Sequence, residues 1–176
     1  MPGVVTLTLI DALGDTDEVL VTVMEDKATK IATVDSDGNS STARISGGIT
    51  TDNGLSYNGF VSEGDEIKIV LTIEPEADYI GENANIIVAI EDITSGQLFL
   101  LRSDFELVEL DLANLEFFNS LNLAASNRID ILEPIGGSIT IGPAFIGLEY
   151  NFHIAYQLSS GGPIYYNNEP VVLQVN

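Results

Sequence analysis

Across 176 residues, 27 Asp and Glu stand against 6 Lys and Arg, a formal charge of −21, yet 45% of residues are hydrophobic and mean hydropathy is +0.23. Such acidity argues against nucleic acid and anionic membranes as partners, because neutralising phosphates needs Lys and Arg. With no cysteine, disulfides, thiol catalysis and thiolate metal sites are ruled out together. The apolar content suffices for one substantial core, with the charge carried outside it, where divalent cations, a basic partner or a salty medium would meet it.

The chain opens on a period-two pattern, Val5, Leu7 and Leu9 alternating with Thr6 and Thr8, the signature of a half-buried strand. After the Gly14-Asp15-Thr16-Asp17 turn the pattern resumes at Val19, Val21 and Val23. Two strands, Ile31 to Val34 and Thr42 to Ile45, flank Asp35-Ser36-Asp37-Gly38-Asn39, and Asp-Gly there signals a hairpin. The clearest strand carries Ile67, Ile69, Leu71 and Ile73, and another carries Ile86, Val88 and Ile90. Between residues 104 and 121, Leu107, Val108, Leu110, Leu112, Leu115 and Phe118 fit one face of a helix, and the spacing predicts a short helical turn near 111–118. The remaining strands hold Ile139 with Ile141, then Phe152, Ile154, Tyr156 and Leu158, and last Val171, Leu173 and Val175.

Turn sequences such as Asp52-Asn53-Gly54, Ser95-Gly96, Gly136-Gly137 and Ser159 to Pro163 separate these runs. Many short strands at regular spacing predict an all-β fold, an antiparallel β-sandwich of immunoglobulin-like or jelly-roll-like type. Residues 42–176 read as one continuous sandwich. Residues 1–41 read as two or three strands that either complete it or pair with a neighbouring subunit. No stretch approaches the ~20 apolar residues of a membrane span. Met1-Pro2-Gly3 lacks the basic region and apolar run of a signal peptide, so export by that route requires a leader already removed.

Three stretches carry the resemblance that this chain offers. Ala43-Arg44-Ile45-Ser46-Gly47-Gly48 reads as an opening strand and Gly-Gly turn. Ile67 to Pro75 is followed by Tyr79-Ile80-Gly81-Glu82-Asn83-Ala84-Asn85-Ile86, a Gly-x-x-Ala-x-Ile element. Ala155-Tyr156-Gln157-Leu158 precedes Ile164-Tyr165-Tyr166-Asn167. In this order they resemble a β-sandwich domain of large secreted and surface proteins of gammaproteobacteria. The likeness covers about three quarters of the chain, but the family's tryptophans are missing and Ser159 to Pro163 replaces its usual Asp-Gly turn. It implies an exported, surface-associated domain and supplies no active site.

Asp35, Asp37 and Asn39 have the alternating oxygen spacing of a calcium loop, although Gly38 comes too early for an EF-hand and no Glu closes it. Asp15, Asp17 and Glu18 form a second acidic turn, and Glu63, Asp65 and Glu66 a third. Solvated turns and a charged strand entry account for these residues too. If two such turns met, their oxygens would select calcium over zinc. His153, the lone histidine, falls out of phase with Phe152, Ile154 and Tyr156 and so on an outer face, with no Gly-x-Ser-x-Gly elbow to supply a nucleophile. Tyr57, Tyr79, Tyr165 and Tyr166 suit either a sugar platform or the caps of a core. Terminal apolar strands, Val4 to Ile10 and Val171 to Val175, suit pairing with a neighbour's sheet edge or closure of their own sandwich. The expectation is a non-enzymatic structural subunit or module of an extracellular or cell-surface assembly or filament, with calcium stiffening its turns. A carbohydrate-binding or adhesive module is the alternative.

Overall fold

In the segment Glu66–Glu74, Ile67, Ile69, Leu71 and Ile73 occupy every second position, and all four are buried. A strand points successive side chains to opposite faces, so this spacing builds one apolar face, each isoleucine or leucine contributing about 1.5–3 kcal/mol by leaving water. The computed structural model describes the main chain of residues 3–10, 16–23 and 31–32, and residues 33–176 in full. In it the strands are β1 (Gly3–Ile10), β2 (Thr16–Val23), β3 (Ile31–Asp35), β4 (Ser40–Thr50), β5 (Phe60–Val61), β6 (Glu66–Glu74), β7 (Asn83–Asp92) and β8 (Gln97–Leu101). They continue as β9 (Leu107–Glu109), β10 (Asn119–Asn122), β11 (Asn127–Asp130), β12 (Ile139–Thr140), β13 (Glu149–Leu158), β14 (Ile164–Asn167) and β15 (Val171–Val175). Helix among the described residues is confined to single 3-10 turns at Ala77–Tyr79, Glu133–Ile135 and Pro143–Phe145, and no helix is long and apolar enough to cross a membrane.

Thirteen strands form one sheet in the order β11-β6-β4-β3-β14-β13-β7-β8-β9, with β10 on β7, β12 on β6, and β15 joining β13 to β5. Every pair is antiparallel except β15 with β5. Along this order β3 and β14 separate β4 and β6 from β13 and β7. Even so, Ile45, Ile49 and Leu71 share one core with Ile86, Val88, Ile154 and Tyr156. The sheet therefore curls through β3 and β14 into two facing layers, and the expected all-β sandwich is what the chain forms. Of residues 1–41, β3 and the start of β4 lie in this sheet, whereas among the described residues β1 and β2 pair only with each other, Gly3 opposite Val23 through Ile10 opposite Thr16.

Three buried polar side chains sit where ladders are interrupted or begin. One edge of β13 is shared, pairing with β15 over Glu149 to Phe152 and with β14 over Ala155 to Gln157. At the junction the Asn167 side chain accepts from the Ile154 amide at 2.6 Å and donates to the Phe152 and Glu169 carbonyls. At the β3–β4 irregularity between Ala32 and Val34, the Thr33 hydroxyl donates to the Ala43 carbonyl at 2.8 Å. Asn127 donates to the Ile73 and Ala124 carbonyls and accepts from the Ala124 amide. Each supplies the partner that a buried backbone group needs.

The helical face expected near 111–118 does not form. Leu107–Glu109 is strand β9, paired with β8, and Phe118 enters the main core. Asp111 to Asn114 is one turn closed by the Asn114 amide on the Asp111 carbonyl, with Asp111 Oδ1 accepting from the Ala113 amide at 2.9 Å and Oδ2 from the Asn114 side chain at 2.8 Å. These bonds close a single turn at Asp111, and no i to i+4 backbone bond extends it.

Candidate functional site

At the β3–β4 hairpin, Asp35 Oδ1 accepts from the amides of Asp37 (3.0 Å) and Asn39 (2.8 Å), and Asn39 Nδ2 reaches both Asp35 oxygens. The Asn39 amide and side chain hold the Asp35 carboxyl below its usual range. Here the three residues proposed as calcium ligands are together, with Asp35 acting as acceptor for its own turn. Of the second set, Asp15 lies outside the described residues, while the Asp17 and Glu18 main chain lies in β2 opposite Leu9 and Thr8. In the third acidic stretch, Asp65 accepts from the Ser62 amide and closes its own turn, while Glu66 accepts from the Ser138 hydroxyl, distant in sequence. Among the described residues no three Asp, Glu, His or Cys side chains gather as metal ligands.

The four tyrosines divide among three places. Tyr79 and Tyr165 share a hydrogen bond of 2.7 Å between hydroxyls, and Tyr165 stacks on Tyr156 with ring centroids 5.0 Å apart. This trio closes one end of the core beside Glu76, whose carboxylate accepts from the Ser41 hydroxyl and the Thr42 amide. Burial pushes the Tyr156 and Tyr165 phenols up. Tyr57 packs on Gly48, where an added Cβ would lie 3.3 Å from its own. Tyr166 alternates with buried Tyr165 and faces outward.

The outer face that holds Tyr166 contains a feature that period-two reading missed. Ile87, Leu100 and Ala155 are buried there in a second apolar cluster, apart from the main core, packed by Val108, Leu110, Leu115 and Ile164. The turn after β9 walls one side, and the small Ala89 and Ala155 on paired strands leave a depression, a groove of about 400 Å³. The signal was in the sequence: Ile86, Ile87 and Val88 are consecutive, as in strands buried on both faces.

His153 lines this groove, on the outer face as expected, with Nε2 3.7 Å from Glu91 Oε2, an oxygen that also accepts from Asn151 Nδ2 at 2.9 Å. No family model and no curated protein matches the chain. An apolar floor, one exposed tyrosine and a His–Glu–Asn edge suit contact with a ligand or a partner surface, apolar area giving affinity and the polar edge orientation.

Proposed function

We propose that this chain is a non-catalytic β-sandwich module of an extracellular or cell-surface assembly, joined to its neighbours through the β1–β2 hairpin. The observation that carries this reading is that β1 and β2 form a sheet of their own, with both outer edges unpaired among the described residues. A lone two-stranded hairpin is at best marginally stable in water, and open strand edges are templates for pairing with another chain. The likeness of residues 42–176 to sandwich domains of secreted proteins and the −21 charge fit an exterior setting. Calcium enters this reading as a counter-ion to a carboxylate-rich surface that otherwise repels its own copies.

Sedimentation of the full chain and of a chain lacking residues 1–23, each with calcium and with sodium at matched ionic strength, tests the proposal. Multimers of the full chain that become folded monomers on deletion are the expected result. Monomeric full chain at every concentration, or multimers that survive the deletion, would overturn it.

The outer groove favours an adhesive module as a second reading, with Tyr166 as stacking surface and Asn151, Glu91 and His153 as hydrogen-bonding edge. Binding on a glycan array that is lost in Tyr166→Ala, with the oligomeric state unchanged, would select it.

A further inference from the structure

A second cavity opens between the two layers, about 200 Å³ in volume. Its floor is the buried side chains of Ile69, Ile131, Ile141, Phe152 and Leu173. The half-exposed or exposed lining residues, Phe105, Leu107, Ile139, Phe145 and Tyr150, mark its mouth. All lining side chains are aliphatic or aromatic, and the Tyr150 hydroxyl is their one polar atom. Such walls offer a water molecule too few of the two to four polar partners that it needs, and apolar cavities of about 150 Å³ already admit a benzene-sized guest.

The mouth is held in an unusual way. Phe105 has φ 66°, the left-handed region that bulky side chains seldom occupy. Two backbone bonds fix the turn, the Phe105 amide on the Arg102 carbonyl (3.0 Å) and the Arg102 amide on the Glu106 carbonyl (2.9 Å). The Arg102 guanidinium adds contacts to Asp104, Glu106 and Glu116. Strained residues persist where surrounding structure over-determines them, and they cluster at ligand clamps. Here the strain sets an aromatic ring against the core at the entrance of an apolar space.

Charge selects among apolar guests. Asp104 and Glu106 flank Phe105, Glu149 adjoins Tyr150, and Asp92 acts on the Tyr150 hydroxyl. Arg102 offsets one of these charges through its contacts with Asp104 and Glu106, but the rim stays anionic with it counted, so an acyl carboxylate meets net repulsion there while an alcohol or ammonium does not.

We propose that the interlayer cavity binds the alkyl end of a small molecule whose head group is neutral or cationic, with Phe105 and Leu107 as its entrance. The test is titration of isoleucine-methyl-labelled full chain with 1-hexanol, hexylammonium and hexanoate, read by methyl NMR. Saturable shifts at Ile69, Ile131, Ile139 and Ile141, none at Ile87 and Ile164 of the outer groove, and at least tenfold weaker binding of hexanoate are expected. Filling the space with Ile139→Phe abolishes the shifts at Ile69, Ile131 and Ile141. Leu107→Trp, at a position 53% exposed and so free of repacking, covers the mouth and weakens binding at least tenfold. Absence of saturable shifts, equal binding of hexanoate, or binding unaffected in whichever of the two variants folds would each overturn the proposal.

Discussion

Tyr156→Phe should make this protein more stable. Tyr156 is fully buried, and among the described residues its hydroxyl completes no hydrogen bond of full geometry, although the Glu76 main chain is close enough to act on it. A buried donor left unpaired costs about 1–3 kcal/mol, whereas the ring's stack on Tyr165 at 5.0 Å survives removal of one oxygen. The expected gain is about 1 kcal/mol, which for a chain of this size raises the melting temperature by about 2–4 °C. Tyr165→Phe is the matched control, because it breaks the 2.7 Å bond with Tyr79 and should lose about 1 kcal/mol. Urea unfolding followed by circular dichroism and by tyrosine fluorescence, undisturbed in a chain without tryptophan, measures both. Loss of 1 kcal/mol or more in Tyr156→Phe would mean that the hydroxyl is bonded after all, and the reasoning would fail.

Asn167→Ala removes the acceptor of the Ile154 amide and two donors at the split edge of β13; it should cost about 2–4 kcal/mol and speed hydrogen exchange at Ile154, and unchanged protection there would count against the bridging role. Gly47→Ala would drive a Cβ into the Val70 carbonyl at φ 131°, whereas Gly64→Ala at φ 90° meets nothing within 4 Å; thermal melts should show a loss above about 2 kcal/mol for the first and about 1 kcal/mol for the second, and equal losses would refute the collision. Asp52 is held down to about 2 from 3.8 by Ser56 and Thr50 hydroxyls and the Ser56 amide. A carboxyl lowered on folding adds stability above its ordinary value and loses it as pH falls through the folded one. The deficit of Asp52→Asn relative to the parent should therefore shrink between pH 4 and about 2, and parallel stability curves would contradict this.

Period two made the sandwich legible because strands such as β6 and β13 bury one face, and residues like Ile67 and Ile154 repeat at that spacing. The same habit hid the outer groove, since Ile87 and Ala155 belong to the face that alternation assigns to solvent. The run from Leu107 to Phe118 satisfied a helical template although Leu112 is 77% exposed and Phe118 is in the core; pairing of Leu107–Glu109 with β8 claimed the start of the run, a tertiary contact that no hydrophobic pattern encodes. Thr33, Asn127 and Asn167 look like ordinary strand-end polar residues in the sequence. Their importance arises only once the ladder interruptions are known. The Asp35–Asn39 turn was visible as a cluster of oxygens, but spacing alone does not tell a carboxylate awaiting an ion from one already bonded to its own backbone.

The curl of the large sheet is sealed by pairings between distant parts of the chain: Thr33 with Asn167 in β3 and β14, Val61 with Val175 in β5 and β15. More than a hundred residues must be gathered before either pair rewards the lost freedom, so both refolding and the reverse reaction belong to the slow regime of β-rich topologies, milliseconds to seconds for the forward step. A protein built this way persists through the height of its barrier as much as through the depth of its well.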